Sequence, residues 1–171
     1  MLHHAASLGE LRDVLTSAEW PEGPVHLDLI GHSTRGHRLL RLGRTPIDML
    51  DRGVARFFAG LAAEGVLDRH NVVAVRLLGC QTAVTDPGRR TLRMLSRALG
   101  VATYGTLVPL LKSHSDAAGL SPRFGHVLAS GWTSTEEQWR AGRERSDGGG
   151  QGQGESALAV GPPVAQGEAG R

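Results

Sequence analysis

The sequence predicts an α/β fold: a mostly parallel sheet with helices on both faces, in a three-layer arrangement. Three observations predict it. Short apolar runs at residues 25–30, 72–79 and 101–105 have the length and β-branched content of buried strands. Between them lie segments with a 3.6-residue apolar period, long enough to serve as crossover helices. Apolar residues make up 40% of the 171 and charged residues 21%, ordinary globular usage, while aromatics at 4% are scarce, so Leu, Val and Ala must build the core.

Taken in order, Ser7 and Glu10 have the capping-box spacing. Leu8, Leu11, Val14 and Leu15 then share one helical face, which predicts a helix over 8–18 that Pro21 and Pro24 prevent from continuing. The run Val25 to Ile30 predicts a strand that delivers His32 at its carboxyl end. Ser33 to Gly36 has turn composition, and His37 to Gly43 reads as extended chain after it. Thr45-Pro46 predicts the next helix start, with Ile47, Leu50, Val54, Phe57, Phe58 and Leu61 on its apolar face and an end near Gly65.

Val72 to Gly79 is the clearest strand, and it delivers Cys80 at its carboxyl end. Asp86-Pro87 opens a helix with Leu92, Leu95 and Leu99 inward and Gly100 as its stop. Val101 to Gly105 follows as a strand. Lys112 to Arg123 reads as a loop, Phe124 to Ser130 as a last strand with Trp132 beyond it, and 135–145 as a short polar helix. From Ser146 on, the Gly- and Gln-rich composition cannot offset its ordering entropy by burial. The expected organisation is one domain over 1–145 and an unfolded tail over 146–171.

The function classes narrow next. Of 19 basic residues only Lys112 is a lysine, the arginines are dispersed, and the net charge is +2. A nucleic-acid footprint needs a clustered stripe, so none is expected. No leader peptide and no membrane span is expected from the hydropathy, which makes a cytoplasmic protein the default. One cysteine can form neither an internal disulfide nor a cysteine-built zinc site, so Cys80 is either an inert core residue or a reactive thiol. His32 and His37 without a carboxylate or cysteine cluster make a poor zinc pattern, so no metal or other cofactor is expected.

A cysteine attacks a carbonyl as thiolate and needs a base beside it, usually histidine. Parallel strands put His32 and Cys80 at one edge of the sheet, where ligands bind in such folds. Both residues follow a strand and a glycine: Ile30-Gly31-His32 and Leu78-Gly79-Cys80.

The segments Leu29-Ile30-Gly31-His32-Ser33 and Leu77-Leu78-Gly79-Cys80-Gln81-Thr82-Ala83 resemble the histidine and cysteine motifs of caspase-like cysteine peptidases, particularly bacterial CHAT-type domains. The spacing of 48 residues is close to the caspase value of about 50. The resemblance runs over roughly residues 8–133 and implies a caspase-like sandwich. It implies an endopeptidase acting on a peptide or protein, with Cys80 as nucleophile, His32 as general acid/base, and the backbone N–H groups of Ser33 and Cys80 as oxyanion hole. Two positions before the cysteine, where caspases carry glutamine and metacaspases aspartate, stands Leu78, which implies an uncharged residue before the cut. The residue after the histidine, usually glycine in the family, is Ser33. Only one helix precedes the histidine strand, where the family's sheet has further strands, so either the sheet is reduced at the N-terminus or a fold-completing protein partner or further segment supplies the rest, and activity is open to loss or to control by a regulatory partner.

Other readings stay open on the residues themselves. Arg35, near the site, can meet an acidic group of a substrate. Gly31-His32-Ser33-Thr34-Arg35 has part of a nucleophile-elbow pattern, which would make Ser33 the nucleophile of a serine hydrolase with His114 or His126 as base. Against this, Arg35 replaces the final glycine, and the residues after it read as turn. Asp28 reads as a satisfied polar residue of the sheet, and His26 and His126 as structural. A domain that keeps the fold but only binds partners is the remaining alternative.

Overall fold

The computed structural model describes residues 2–116 and 119–131. Trp132, the expected helix over 135–145, and the boundary and tail at 145/146 lie outside the described residues.

The first helix, α1 (Leu8–Ser17), starts where Ser7 accepts a hydrogen bond from the Glu10 N–H. Leu11 and Leu15 are its buried residues. Strand β1 (Val25–Ile30) follows with the expected bounds. The chain then turns back on itself: Ser33 bridges Leu40, and two short strands, β2 (Arg41–Leu42) and β3 (Thr45–Pro46), form a hairpin.

Here one expectation is corrected. Thr45-Pro46 does not open a helix, since α2 spans Arg52–Ala63 and its cap is Asp51, whose carboxylate accepts from the N–H groups of Gly53 and Val54. Ile47, expected on the helix, is instead a core residue of the preceding loop, fully buried at 0% exposure, and Leu50 is 58% exposed. A short helix, α3 (Val66–Arg69), follows Gly65 and buries Val66 and Leu67.

Strand β4 (Val72–Leu78) lies beside β1 in parallel, with Ile30 opposite Leu78. Helix α4 (Asp86–Leu99) is capped by Thr85 and ends at Gly100, which takes a left-handed conformation. Strand β5 (Ala102–Thr106) runs parallel to β4 on its other side. A small hairpin, β6 (Ser115–Asp116) with β7 (Gly119–Leu120), occupies the expected loop. The expected last strand is mostly a 3-10 turn over Pro122–Val127, and only β8 (Leu128–Ser130) joins the sheet, antiparallel to β5. The four-stranded sheet has the order β1-β4-β5-β8.

The direction of the crossovers sets where the described helices lie. Both crossovers, β1 to β4 and β4 to β5, step in the same direction across the sheet, and right-handed connections of that kind put their helices on one face. Leu11 and Leu15 of α1, Phe58 of α2 and Leu92 of α4 accordingly share one core with Leu29 and Leu77 of the sheet. Among the described residues no α-helix is part of the opposite face, which is bordered by Gly125 of the 3-10 turn. That face carries a two-pronged ion pair instead: Arg76 donates from Nε to Asp28 Oδ1 at 2.5 Å and from Nη2 to Oδ2 at 2.8 Å. Asp28 Oδ2 also accepts from the Leu120 N–H at 3.0 Å, which ties the β6–β7 hairpin down. Asp28 is thus a satisfied polar residue, as its place in the strand suggests. No described helix is long and apolar enough to cross a membrane.

Candidate active site

His32 and Cys80 stand two residues beyond the paired ends of β1 and β4, because Ile30 faces Leu78 in a parallel register. Each follows a glycine, and close packing requires both glycines. A β-carbon on Gly31 would come within 2.9 Å of the Arg41 carbonyl oxygen, and one on Gly79 within 2.5 Å of Ser33 Oγ and 2.9 Å of Leu40 Cδ1. The two loops therefore touch backbone to side chain. A second tie joins them farther out, where Thr85 Oγ1 donates to the His37 carbonyl at 2.5 Å. His32 is exposed, and Cys80, a free thiol, is half-buried.

The ladder between the strands ends just before these residues. Gly31 N–H donates to Leu78 O at 3.1 Å. A continued parallel ladder would next use the Cys80 N–H toward Gly31 and the Ser33 N–H toward Cys80. Neither N–H has a hydrogen-bond partner among the described residues, because the chain after Gly31 pairs instead with residues 39–41 through Thr34 N–H to Leu39 O and Arg41 N–H to His32 O, each 2.8 Å. The two donors expected of an oxyanion hole are the two that the end of the ladder releases.

Behind Cys80 lies a feature that sequence reading missed. Thr82 and Thr106 are both buried, at 2% and 0% exposure, and their hydroxyls interlock. Thr82 Oγ1 donates to Leu77 O at 2.7 Å and accepts from Thr106 N–H at 2.9 Å. Thr106 Oγ1 donates to Gly79 O at 2.5 Å and accepts from Thr82 N–H at 3.2 Å. Between Cys80 and Thr82, Gln81 takes a left-handed conformation at φ 61°, uncommon for a residue with a side chain. A threonine directly at a strand end and another two residues past the cysteine were the available signal.

The other expected site residues separate. Leu78 is 1% exposed, so its side chain belongs to the packed interior and lines no open pocket. Arg35 is exposed in the turn after Ser33. Exposed apolar side chains are supplied by Val84, Leu107 and Val108, on segments bonded to the cysteine loop through Ala83 N–H to Thr106 O and Gln81 N–H to Val108 O. Ser33 Oγ is buried without a hydrogen-bond partner among the described residues and rests on Gly79, and the segment after it is a bridged turn with no helix. Both features count against a serine nucleophile. His114 packs on Phe124 and its Nδ1 accepts from the Leu111 N–H, while His126, exposed in a 3-10 turn and not in a strand, lies with Nδ1 3.2 Å from Arg123 O.

A groove of about 430 Å³ lies on the sheet face opposite the α-helices, beside His26, Arg76, Tyr104, Gly125 and Leu128. Among the described residues no group of three or more His, Cys, Asp and Glu side chains is placed to hold a metal ion. Comparison with known proteins finds no matching family model, no matching curated protein and no matching solved structure.

Proposed function

We propose that the chain is a caspase-like cysteine endopeptidase in which Cys80 is the nucleophile and His32 the general acid/base. The observation that carries the reading is the end of the β1–β4 ladder. It leaves a thiol, an imidazole and two backbone N–H groups, those of Ser33 and Cys80, that have no hydrogen-bond partner among the described residues, on one sheet edge.

The chemistry follows from those groups. His32 accepts the thiol proton, Cys80 Sγ bonds to the scissile carbonyl carbon, and the developing negative charge on the oxygen falls toward the two N–H donors, which need no reorganisation to receive it. His32 then gives the proton to the leaving amine as the C–N bond breaks. Water attacks the thioester, His32 takes its proton, and the C–S bond breaks to restore the thiol. Val84, Leu107 and Val108 are exposed apolar residues on segments bonded to the cysteine loop, which supports a substrate with an uncharged residue next to the cut. Arg35 is the nearby cation for an acidic group elsewhere on the peptide.

The test is cleavage of a peptide library by the wild type, Cys80→Ala and His32→Ala, with circular dichroism to establish folding. Cys80→Ala is expected to abolish cleavage and His32→Ala to lower turnover by orders of magnitude. A folded Cys80→Ala protein that cleaves as well as wild type overturns the assignment. A wild type that cleaves nothing, with Cys80 slow to react with iodoacetamide, makes the domain a binding module.

A further inference from the structure

We infer that Thr106, with Thr82 locking it, is a positioning residue that aims the Cys80 N–H at the reacting carbonyl, an inference that rests on the peptidase reading above. The argument begins with one peptide unit. The Gly79 carbonyl and the Cys80 N–H belong to the same planar trans amide, so they point in opposite directions. Thr106 Oγ1 holds the Gly79 oxygen from the buried side at 2.5 Å. The Cys80 N–H is thereby turned out of the interior, and among the described residues it has no protein partner.

Among the described residues no other hydrogen bond holds that carbonyl, and the flanking amides are tied elsewhere, Gly79 N–H to Leu77 O at 3.1 Å and Gln81 N–H to Val108 O at 3.4 Å. Gly79 has no side chain, and Gln81, two residues on, is held in a left-handed conformation. An amide free to rotate would exchange its outward N–H for an outward carbonyl, which repels a developing oxyanion. Thr106 cannot rotate away from Gly79, because its hydroxyl also accepts from the Thr82 N–H while the Thr82 hydroxyl is spent on Leu77 O and Thr106 N–H. Each hydroxyl gives one hydrogen bond and takes one, and the two oxygens lie 3.3 Å apart, so the threonines hold each other in place behind Gly79. The strand after the neighbouring crossover thus sets the donor direction at the cysteine.

An oxyanion donor acts in the transition state of acyl transfer and not in the displacement by which a thiol attacks a haloacetamide. The experiment uses that difference on wild type, Thr106→Val and Thr106→Ser, measuring kcat and KM on a cleaved peptide and the rate of Cys80 alkylation by iodoacetamide. Thr106→Val is expected to lower kcat about 100-fold with KM little changed, as for loss of one oxyanion donor. Alkylation should stay within about twofold of wild type, and Thr106→Ser should recover most of kcat. A parallel loss of alkylation and turnover in Thr106→Val indicates general loosening of the loop and overturns the inference, as does a kcat within twofold of wild type. If Thr106→Val does not fold, amide hydrogen exchange on the wild type decides: a Cys80 N–H exchanging much faster than those of Thr82 and Thr106 supports the inference, and a protected one overturns it. A wild type that cleaves nothing overturns the peptidase reading and this inference together, whereas an active wild type with an indifferent Thr106→Val overturns this inference alone.

Discussion

Ser33 Oγ lies against Gly79 so closely that a β-carbon on the glycine would stand 2.5 Å from it. This contact joins the histidine loop to the cysteine loop, and it makes the glycine before Cys80 a packing requirement. Gly79→Ala should destabilise the fold by about 1–3 kcal/mol, the usual cost of overpacking. Ser33→Ala alone should be nearly neutral, because the buried hydroxyl has no bond to lose among the described residues. Combining the two should recover part of the Gly79→Ala loss but not all of it, since Leu40 Cδ1 would still lie 2.9 Å from the new carbon. Thermal denaturation of the two single variants and the double variant measures the coupling, and purely additive losses would show that the two residues do not meet. In the same set, a Ser33→Ala protein that still cleaves removes the serine-hydrolase reading.

The ion pair on the sheet face opposite the α-helices makes a second prediction. Asp28 and Arg76 face each other across β1 and β4, with side chains only 11% and 14% exposed. Removing one partner leaves a largely buried charge uncompensated, so Arg76→Ala should cost about 3–5 kcal/mol. Replacing both, as Asp28→Asn with Arg76→Gln, should cost clearly less. Chemical denaturation gives both values, and an Arg76→Ala protein within 1 kcal/mol of wild type would mean that the pair is solvated in solution.

How much of this was legible in the sequence depended on whether the determining interaction is local. The bounds of β1 and α4 were legible because a short apolar run, an Asp86-Pro87 start and a Gly100 stop decide them within a few residues. Thr45-Pro46 carries a valid helix-start signal, but Leu42 and Arg41 pair with it across a tight turn, and Asp51 captures the helix N–H groups instead. Which face each crossover covers was not legible, since helix length is the same on either side. Strand order decides it. Leu78 reads as a pocket residue only while its neighbours are unknown. The threonine pair was hidden for a related reason, because a threonine in a turn reads as exposed until a second strand buries it.

The acid side of the pH profile should show at α1. The carboxyl of Glu10 is held below the ordinary glutamate range, first by the Ala6 N–H that it accepts at 2.9 Å and then by the Ser7 hydroxyl. A lowered folded-state value means that the ionised form supports the helix start at neutral pH, and that this support is lost as pH falls through the lowered value. Amide exchange in the first turn of α1 should therefore reveal more fraying in acid for wild type than at neutral pH, after correction for intrinsic exchange. Glu10→Gln should show little such dependence. An unchanged acid response in Glu10→Gln would assign the fraying to another carboxylate.

The last prediction concerns Gln81, which holds φ at 61° directly after Cys80. For a residue with a β-carbon that conformation costs about 1–2 kcal/mol, and for a β-branched one more. Gln81→Gly removes the cost but adds backbone freedom in the unfolded chain, so its net effect on stability should be small, within about 1 kcal/mol. Gln81→Val should instead lose about 1–3 kcal/mol, because the left-handed region is closed to it. The two variants also separate strain from rigidity at the site. If the turn holds Cys80 in place chiefly through the threonine hydrogen bonds, Gln81→Gly should alkylate at nearly the wild-type rate and, in an active protein, cleave at a similar kcat. If the side chain itself is needed to keep the turn, the glycine variant should lose turnover while remaining folded. Denaturation midpoints, alkylation rates and kcat for the two variants decide between these, and a Gln81→Val protein as stable as wild type would mean that residue 81 does not hold a left-handed conformation in solution.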